Sequence, residues 1–199
     1  VFYEWGYYKD HLLEMILPVQ FSPEFRITGY EGLASHGAAI GIVVAMLLFA
    51  RKIKKPFLWI MDRLCIVVAL GGMFIRLGNF FNSEIIGKPT GSSFGVIFKR
   101  LGEDFPRHPA QLYEAFGYLI LFFILWVLYK KGYGQKVGFL FGVFLIALFT
   151  IRFVIEFFKE NQVAFEDALP LNMGQLLSIP FILAGGVILY FSQKQAHKL

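Results

Sequence analysis

The stretch FLWIMDRLCIVVALGGMFIRLGNFF, which runs from Phe57 to Phe81, decides the fold of this chain. The hydrocarbon core of a bilayer is about 30 Å thick, and a helix needs about 20 apolar residues to cross it. The stretch meets that length, with Asp62 and Arg63 in its first turns and Arg76 toward its other end. It therefore predicts a transmembrane helix that carries a cation near one end.

Four more apolar runs of similar length accompany it. They cover approximately residues 33–50, 109–129, 137–158 and 173–191. With 57% apolar residues, 24 phenylalanines and a mean hydropathy of +0.60, the chain is too apolar for a soluble domain of 199 residues. We predict an all-α polytopic membrane protein, a single transmembrane domain over residues 1–199 with about five transmembrane helices.

Basic clusters follow the first, third and fifth runs, at residues 51–55, 130–136 and 194–198. If the helices alternate in direction, these clusters share one face of the membrane, and the positive-inside bias makes that face cytoplasmic. The C-terminus is then cytoplasmic, and the turn-rich segment at about 82–108 is an ordered periplasmic loop over a site. Because the positive charges lie at the ends of apolar runs, the net charge of +5 does not indicate nucleic acid as a partner.

Two arginines, Arg76 and Arg152, lie within apolar runs. A guanidinium does not give up its proton, so at membrane depth it needs an anionic partner or a water-filled cavity. Asn79 and Asn82 follow the first arginine at steps of three, and Glu156 follows the second at i+4, where side chains on a helix meet. We interpret the two groups as halves of one site for an anionic ligand. The alternative is a purely structural pair of Arg152 with Glu156.

More polar residues belong to the same candidate site. Glu84 follows the run that contains Arg76, and His108 and Gln111 lie where the third run begins. Glu114 enters an otherwise apolar helix and therefore needs a partner, for which a buried arginine is the expected choice. A structural pair of Glu114 with Arg152 is the alternative.

His36 lies at the start of the first apolar run, in Ser35-His36-Gly37. A neutral imidazole there is able to accept a proton at ordinary pH, whereas the alternative is an interfacial histidine that only caps the helix. The single cysteine, Cys65, lies in an apolar run and indicates neither a disulfide nor a cysteine metal site. The spacing of His36, His108 and Glu84 does not favour metal ligation, and we predict no metal and no cofactor.

These dispersed motifs together resemble the prolipoprotein diacylglyceryl transferases, over residues 1 to 191. The chain departs from the family pattern at Ala38, at Met73-Phe74-Ile75 and at Leu148, where the family usually has glycine, Gly-Ala-Gly and tyrosine. The matching segments are Ser35-His36-Gly37, Arg76-Leu77-Gly78-Asn79-Phe80 with Asn82 and Glu84, Arg107-His108-Pro109 with Gln111-Leu112-Tyr113-Glu114, Arg152 with Glu156-Phe157-Phe158, and Met173-Gly174-Gln175-Leu176-Leu177-Ser178.

The resemblance implies a reaction that moves the diacylglyceryl group of phosphatidylglycerol to the lipobox cysteine thiol of a preprolipoprotein signal peptide, releasing glycerol 1-phosphate. Phosphatidylglycerol, these signal peptides and membrane lipid are then the expected partners. The expected location is the bacterial cytoplasmic (inner) membrane, with the active site toward the periplasm. The family has seven transmembrane helices, so we expect its first two helices to be absent from this chain.

The resemblance also implies roles for individual residues. Arg76 and Arg152 hold the lipid phosphate, and His36 is the family's essential histidine. His36 is the expected base for the thiol, with Glu114 or Glu84 as alternatives. The predicted catalytic residues are His36, Arg76, Arg152 and Glu114, and the predicted substrate-binding residues are Arg76, Asn79, Asn82, Glu84, His108, Gln111, Arg152 and Glu156.

Two rival functions stay open at this point. A transporter or channel would use buried Arg, Glu and His side chains as a polar pathway, and it predicts charges through the whole depth of the membrane. An inactive or truncated scaffold is the other rival.

Overall fold

A computed structural model describes residues 19–20, 26–27, 35–160 and 171–196, with side chains for 40–160 and 171–194. The chain divides into two compact units at Lys52–Ile53. In the first unit, strand β1 (Val19–Gln20) pairs antiparallel with strand β2 (Arg26–Ile27). The first predicted apolar run forms helix α1, which covers Ser35–Ile53.

Four long helices form the second unit: α2 (Phe57–Phe81), α3 (Ala110–Lys130), α4 (Phe139–Ile155) and α5 (Met173–Ala196). Short 3-10 helices occupy Lys99–Leu101, Tyr133–Gln135 and Glu156–Phe158. The second to fifth predicted runs are confirmed as helices long and apolar enough to cross a membrane, four within the described residues. The predicted span at α1 is not among these four and stays a prediction. The all-α polytopic fold is confirmed.

The four helices pack up and down. Helix α4 packs against α5, α3 and α2, and α2 also packs against α3. Helices α4 and α5 approach closely at Gly142 and Gly185, where an added Cβ on either would lie within about 3 Å of the other's carbonyl oxygen. The buried core between the helices consists of Cys65, Ala69, Leu121, Leu125, Leu140, Phe144 and Leu145.

Asp62 of α2 caps the start of α4. Its carboxylate, fully buried, accepts hydrogen bonds from the backbone N–H groups of Gly138 at 2.6 Å and Phe141 at 2.9 Å. These are N–H groups of the first turn of α4, which lack partners inside their own helix and favour a negative charge. The neighbouring Arg63 lies over the ring of Trp59. The cap fixes α4 against α2 at one end of the bundle.

The polar residues of interest collect at the opposite end. At a rise of 1.5 Å per residue, Arg76 lies about 7.5 Å before the end of α2 and Arg152 about 4.5 Å before the end of α4. Glu114 lies about 6 Å after the start of the antiparallel α3. The two arginines and this glutamate therefore come to a similar depth, which we call the site end of the bundle.

Candidate active site

A buried chain of charges crosses the site end. Arg76 Nε lies 2.9 Å from Glu114 Oε2, as an ion pair rather than an aligned hydrogen bond. The other oxygen of Glu114 accepts a hydrogen bond from Lys159 Nζ at 3.0 Å, and Lys159 also donates to Glu156 Oε2 at 3.0 Å. Glu114 has no exposed surface and Lys159 is 2% exposed. The expected pairing of Glu114 with an arginine is confirmed, and a lysine is added to it.

The sequence prediction missed Lys159, and among the described residues the carboxylate of Glu156 forms an ion pair with this lysine and not with Arg152, although Glu156 and Arg152 line the same cavity. Helix α4 ends at Ile155, and a 3-10 turn follows over Glu156–Phe158. In a 3-10 helix residues three apart are aligned, so Glu156 meets Lys159 instead. The spacing of three between an acid and a base was the available signal, but the lysine looked like an ordinary polar residue following an apolar run.

Arg152 is left facing a cavity of about 200 Å³. Among the described residues no carboxylate pairs with its guanidinium and no side-chain hydrogen bond reaches it. The described residues contribute three cations and two carboxylates to this part of the site, so their summed charge is positive. The lining residues are Arg76, Ile85, Arg152, Glu156, Lys159, Met173, Gly174 and Leu177.

Gly174 allows α5 to begin directly against Glu156. A Cβ added at Gly174 would overlap the Glu156 carboxylate, lying 2.5 and 2.8 Å from its two oxygens. Asn172 caps the start of α5, because its side-chain oxygen accepts a hydrogen bond from the backbone N–H of Gln175 at 3.0 Å. Because the N-terminus of a helix carries a partial positive charge, this approach also favours the carboxylate of Glu156.

A second polar chain leads outward from Arg76. Its Nη1 donates to Asn79 Oδ1 at 3.3 Å, and the amide of Asn79 donates to Glu84 Oε2 at 2.8 Å. The backbone oxygen of Glu84 accepts a hydrogen bond from the buried Gln111 amide at 2.6 Å. The structure therefore brings together Arg76, Asn79, Glu84 and Gln111, with Glu84 exposed at the outer end.

The segment between α2 and α3, residues 82–108, is an ordered loop bonded to the residues after α4. The backbone N–H of Lys88 donates to Phe158 O at 2.8 Å, and that of Glu160 donates to Ile86 O at 3.2 Å. Gly87 lies between them, where a side chain would overlap the backbone. Ile85, which lines the cavity, has φ of 53°, a strained value for a β-branched residue.

Arg107 fastens the outer part of this loop. Its guanidinium donates to both oxygens of Glu103 at 2.7 Å, to Glu160 at 2.9 Å and to the carbonyl of Gly87 at 3.2 Å. The hydrogen bonds from Arg107 lower the pKa of the Glu103 carboxyl group. The same bonds to Glu103, followed by the bond to Glu160, raise the pKa of Arg107.

Two predicted site residues, His108 and Asn82, do not line the cavity, and the side chain of a third is not described. His108 packs in an aromatic cluster and does not line the cavity; its ring contacts are Phe94, Tyr113 and Phe158. Asn82 is the exposed residue that ends α2. His36 falls in the first turn of α1, where its side chain lies outside the described residues.

Comparison with known proteins agrees with the resemblance. Residues 1–191 match the family model of prolipoprotein diacylglyceryl transferase. The chain is similar to phosphatidylglycerol--prolipoprotein diacylglyceryl transferases of Bacteroides fragilis, at 49% identity over 98% of this chain and 71% of the relative. For the relatives from Tolumonas auensis and Cupriavidus metallidurans the identities are 50% and 36%, over 82% and 99% of this chain and 64% and 69% of the relatives. The chain therefore belongs to the prolipoprotein diacylglyceryl transferase family of multi-pass membrane transferases.

Proposed function

We propose that this chain transfers the diacylglyceryl group of phosphatidylglycerol to the lipobox cysteine thiol of a preprolipoprotein signal peptide. The names of its relatives supply the two substrate classes. The observation that supports the proposal is the cavity at the site end, which Arg76 and Arg152 both line and where Arg152 lacks a carboxylate among the described residues. A phosphodiester carries the negative charge that such a cavity favours.

The reaction is a displacement at carbon. The thiolate sulfur attacks the glycerol carbon that bears the phosphate ester, so a C–S bond forms as the C–O bond breaks. The bonding electrons leave with the phosphate oxygen, which gives glycerol 1-phosphate, and the thiol proton passes to a base. Negative charge grows on the phosphate during this step, and a guanidinium that binds it more tightly as the charge grows lowers the barrier.

Arg152 is the main phosphate ligand in this proposal, and Arg76 is the second. Both oxygens of Glu114 already lie beside cations, Arg76 and Lys159, so neither is available to a thiol. This arrangement favours His36 over Glu114 as the base, with Glu84 as the alternative.

The proposed location is the bacterial inner membrane with the C-terminus in the cytoplasm. Basic residues after α1 and α3 and at the end of α5 support this orientation by the positive-inside bias. The site end then faces the periplasm, where the loop at 82–108 also lies.

A transporter or channel has less support. The middle part of each of the four spans contains no Asp, Glu, Lys or Arg. These uncharged parts are residues 64–75, 115–129, 139–151 and 176–193. Within these four spans, a charged pathway through the full depth is therefore lacking.

The test compares arginine variants in membranes depleted of the native transferase, with modification of a lipobox cysteine as the readout. Arg152→Gln and Arg76→Gln are expected to lose on the order of 10²-fold or more in rate, as enzymes do when a transition-state charge contact is removed. Arg63→Gln, at the opposite end of the same helix as Arg76, is the matched control and is expected to keep its rate. Full activity of both site variants would refute the phosphate role.

A further inference from the structure

We propose that Lys159 is a positioning residue that holds the site's two carboxylates away from Arg152 and so keeps this guanidinium available to an anion. The inference rests on the proposed function and adds a residue to it. Lys159 forms its ion pairs with Glu114 and Glu156, and it lines the same cavity as Arg152.

The backbone fixes the ammonium group in place. Lys159 ends the 3-10 turn, with its N–H donating to Glu156 O at 3.2 Å, and it forms a β-bridge with Gly87 of the loop. Its side chain is only 3% exposed, and Nζ lies 3.0 Å from one oxygen of each carboxylate. A buried amine with two anionic partners at hydrogen-bond distance is held by both.

Glu156 has a competing partner. It follows Arg152 by four residues, and it borders the cavity that Arg152 also borders. A buried carboxylate without a cation is costly, because the desolvation of its charge is no longer compensated. Removal of the Lys159 ammonium would therefore drive Glu156 toward Arg152, whose guanidinium would then be occupied.

The charge count leads to the same result. Counted over the described residues, three cations face two carboxylates when Lys159 is present, which leaves one positive charge for a phosphodiester with one negative charge. Without it, Arg76 and Arg152 are balanced by Glu114 and Glu156, and the cavity loses its net attraction for the phosphate.

The experiment measures kcat and KM for phosphatidylglycerol in the complete protein. Lys159→Met is expected to raise KM about tenfold or more, the effect of losing one charge-assisted contact to the phosphate. Lys159→Arg keeps a cation at this position, and its KM should stay within about threefold of the wild-type KM. Lys88→Met, which removes an exposed lysine bonded to the carbonyl of Phe157, is the control.

The decisive variant is Lys159→Met combined with Glu156→Gln. A neutral amide does not compete for Arg152, and the double variant has the same charge count as the wild type, so its KM should return to within about threefold of the wild-type value. A lysine that only supports the fold would give a double variant as impaired as Lys159→Met, and that result would overturn the inference. If Lys159→Met does not fold, Lys159→Gln, which keeps a donor for the carboxylates, replaces it in the same comparison.

Failure of this inference is distinguishable from failure of the proposed function. If wild type transfers the diacylglyceryl group and Arg152→Gln does not, the proposed function stands whatever Lys159 does. An unchanged KM in Lys159→Met would then reject the positioning role alone.

Discussion

Gly174→Ala adds one methyl group at the second residue of α5, against the Glu156 carboxylate. Helix propensity alone predicts a gain, because alanine is more favourable than glycine in a helix interior by about 1 kcal/mol. The geometry instead predicts a loss of stability. The new Cβ would lie 2.5 and 2.8 Å from the two Glu156 oxygens, whereas ordinary contact begins at 3.4 Å.

The carboxylate must therefore move by several tenths of an ångström or more. Overpacking of this kind costs about 1–3 kcal/mol. The movement also stretches the 3.0 Å bond between Glu156 and Lys159, and a hydrogen bond to a charged group contributes about 1.5–3 kcal/mol. The sum exceeds the propensity gain, so we expect Gly174→Ala to be destabilised by about 2 kcal/mol.

The assay pairs this variant with Gly186→Ala. Gly186 lies in the same helix, and a Cβ there has no atom within 4 Å. We expect Gly186→Ala to unfold thermally in detergent at or above the wild-type temperature with full transfer activity. Gly174→Ala should unfold at a lower temperature and lose activity about tenfold, the equivalent of 1.4 kcal/mol. Equal stability and activity of the two variants would refute the close approach of α5 to Glu156.

Three further predictions follow from other contacts. Arg152→Lys should recover little of the activity lost in Arg152→Gln, because an ammonium lacks the planar fork that binds a phosphate through two hydrogen bonds; transfer at the wild-type rate would contradict this. Asp62→Ala should lower the stability by about 2–4 kcal/mol in denaturant unfolding, since two buried N–H groups of α4 lose a charged acceptor, whereas the exposed Asp104→Ala should change it little. The lowered pKa of Glu103 means that its bond to Arg107 stabilises the loop above the ordinary glutamate pKa of 4.5 and that this stabilisation is lost as the pH falls through the lower folded-state value. The protection factors of loop amides, which compare the observed exchange rate with the intrinsic rate at the same pH, should therefore fall at acid pH in wild type, and much less in Glu103→Gln.

Length and apolarity were enough to predict four helices of the second unit. The run from Phe57 to Phe81 agrees with α2 at both ends, because Pro56 precedes it and polar residues follow it. The need of a buried carboxylate for a cation was also enough to pair Glu114 with an arginine. The helix prediction depends only on the thickness of the bilayer, and the pairing depends only on the cost of burying a charge. Both can therefore be made without the tertiary structure.

The partners of Glu156 were not predictable in this way. The sequence predicts a continuous helix through residue 158, but the last turn is a 3-10 helix, which brings Lys159, three residues later, to the carboxylate of Glu156. The role of Asp62 was also missed, because its partners are backbone groups 76 and 79 residues later in the chain. Contacts between distant segments leave no periodic signal in one sequence.

The backbone bonds between the loop and the segment after α4 have a mechanical consequence. Two backbone hydrogen bonds, from Lys88 N–H to Phe158 O and from Glu160 N–H to Ile86 O, form the antiparallel bridge that places Gly87 opposite Lys159. Each of these hydrogen bonds contributes about 0.5–1.5 kcal/mol, so the loop and the segment at 158–160 move together. A displacement of the loop at the aqueous surface therefore also moves the backbone of Lys159. Through this lysine, it moves the buried ion pairs as well.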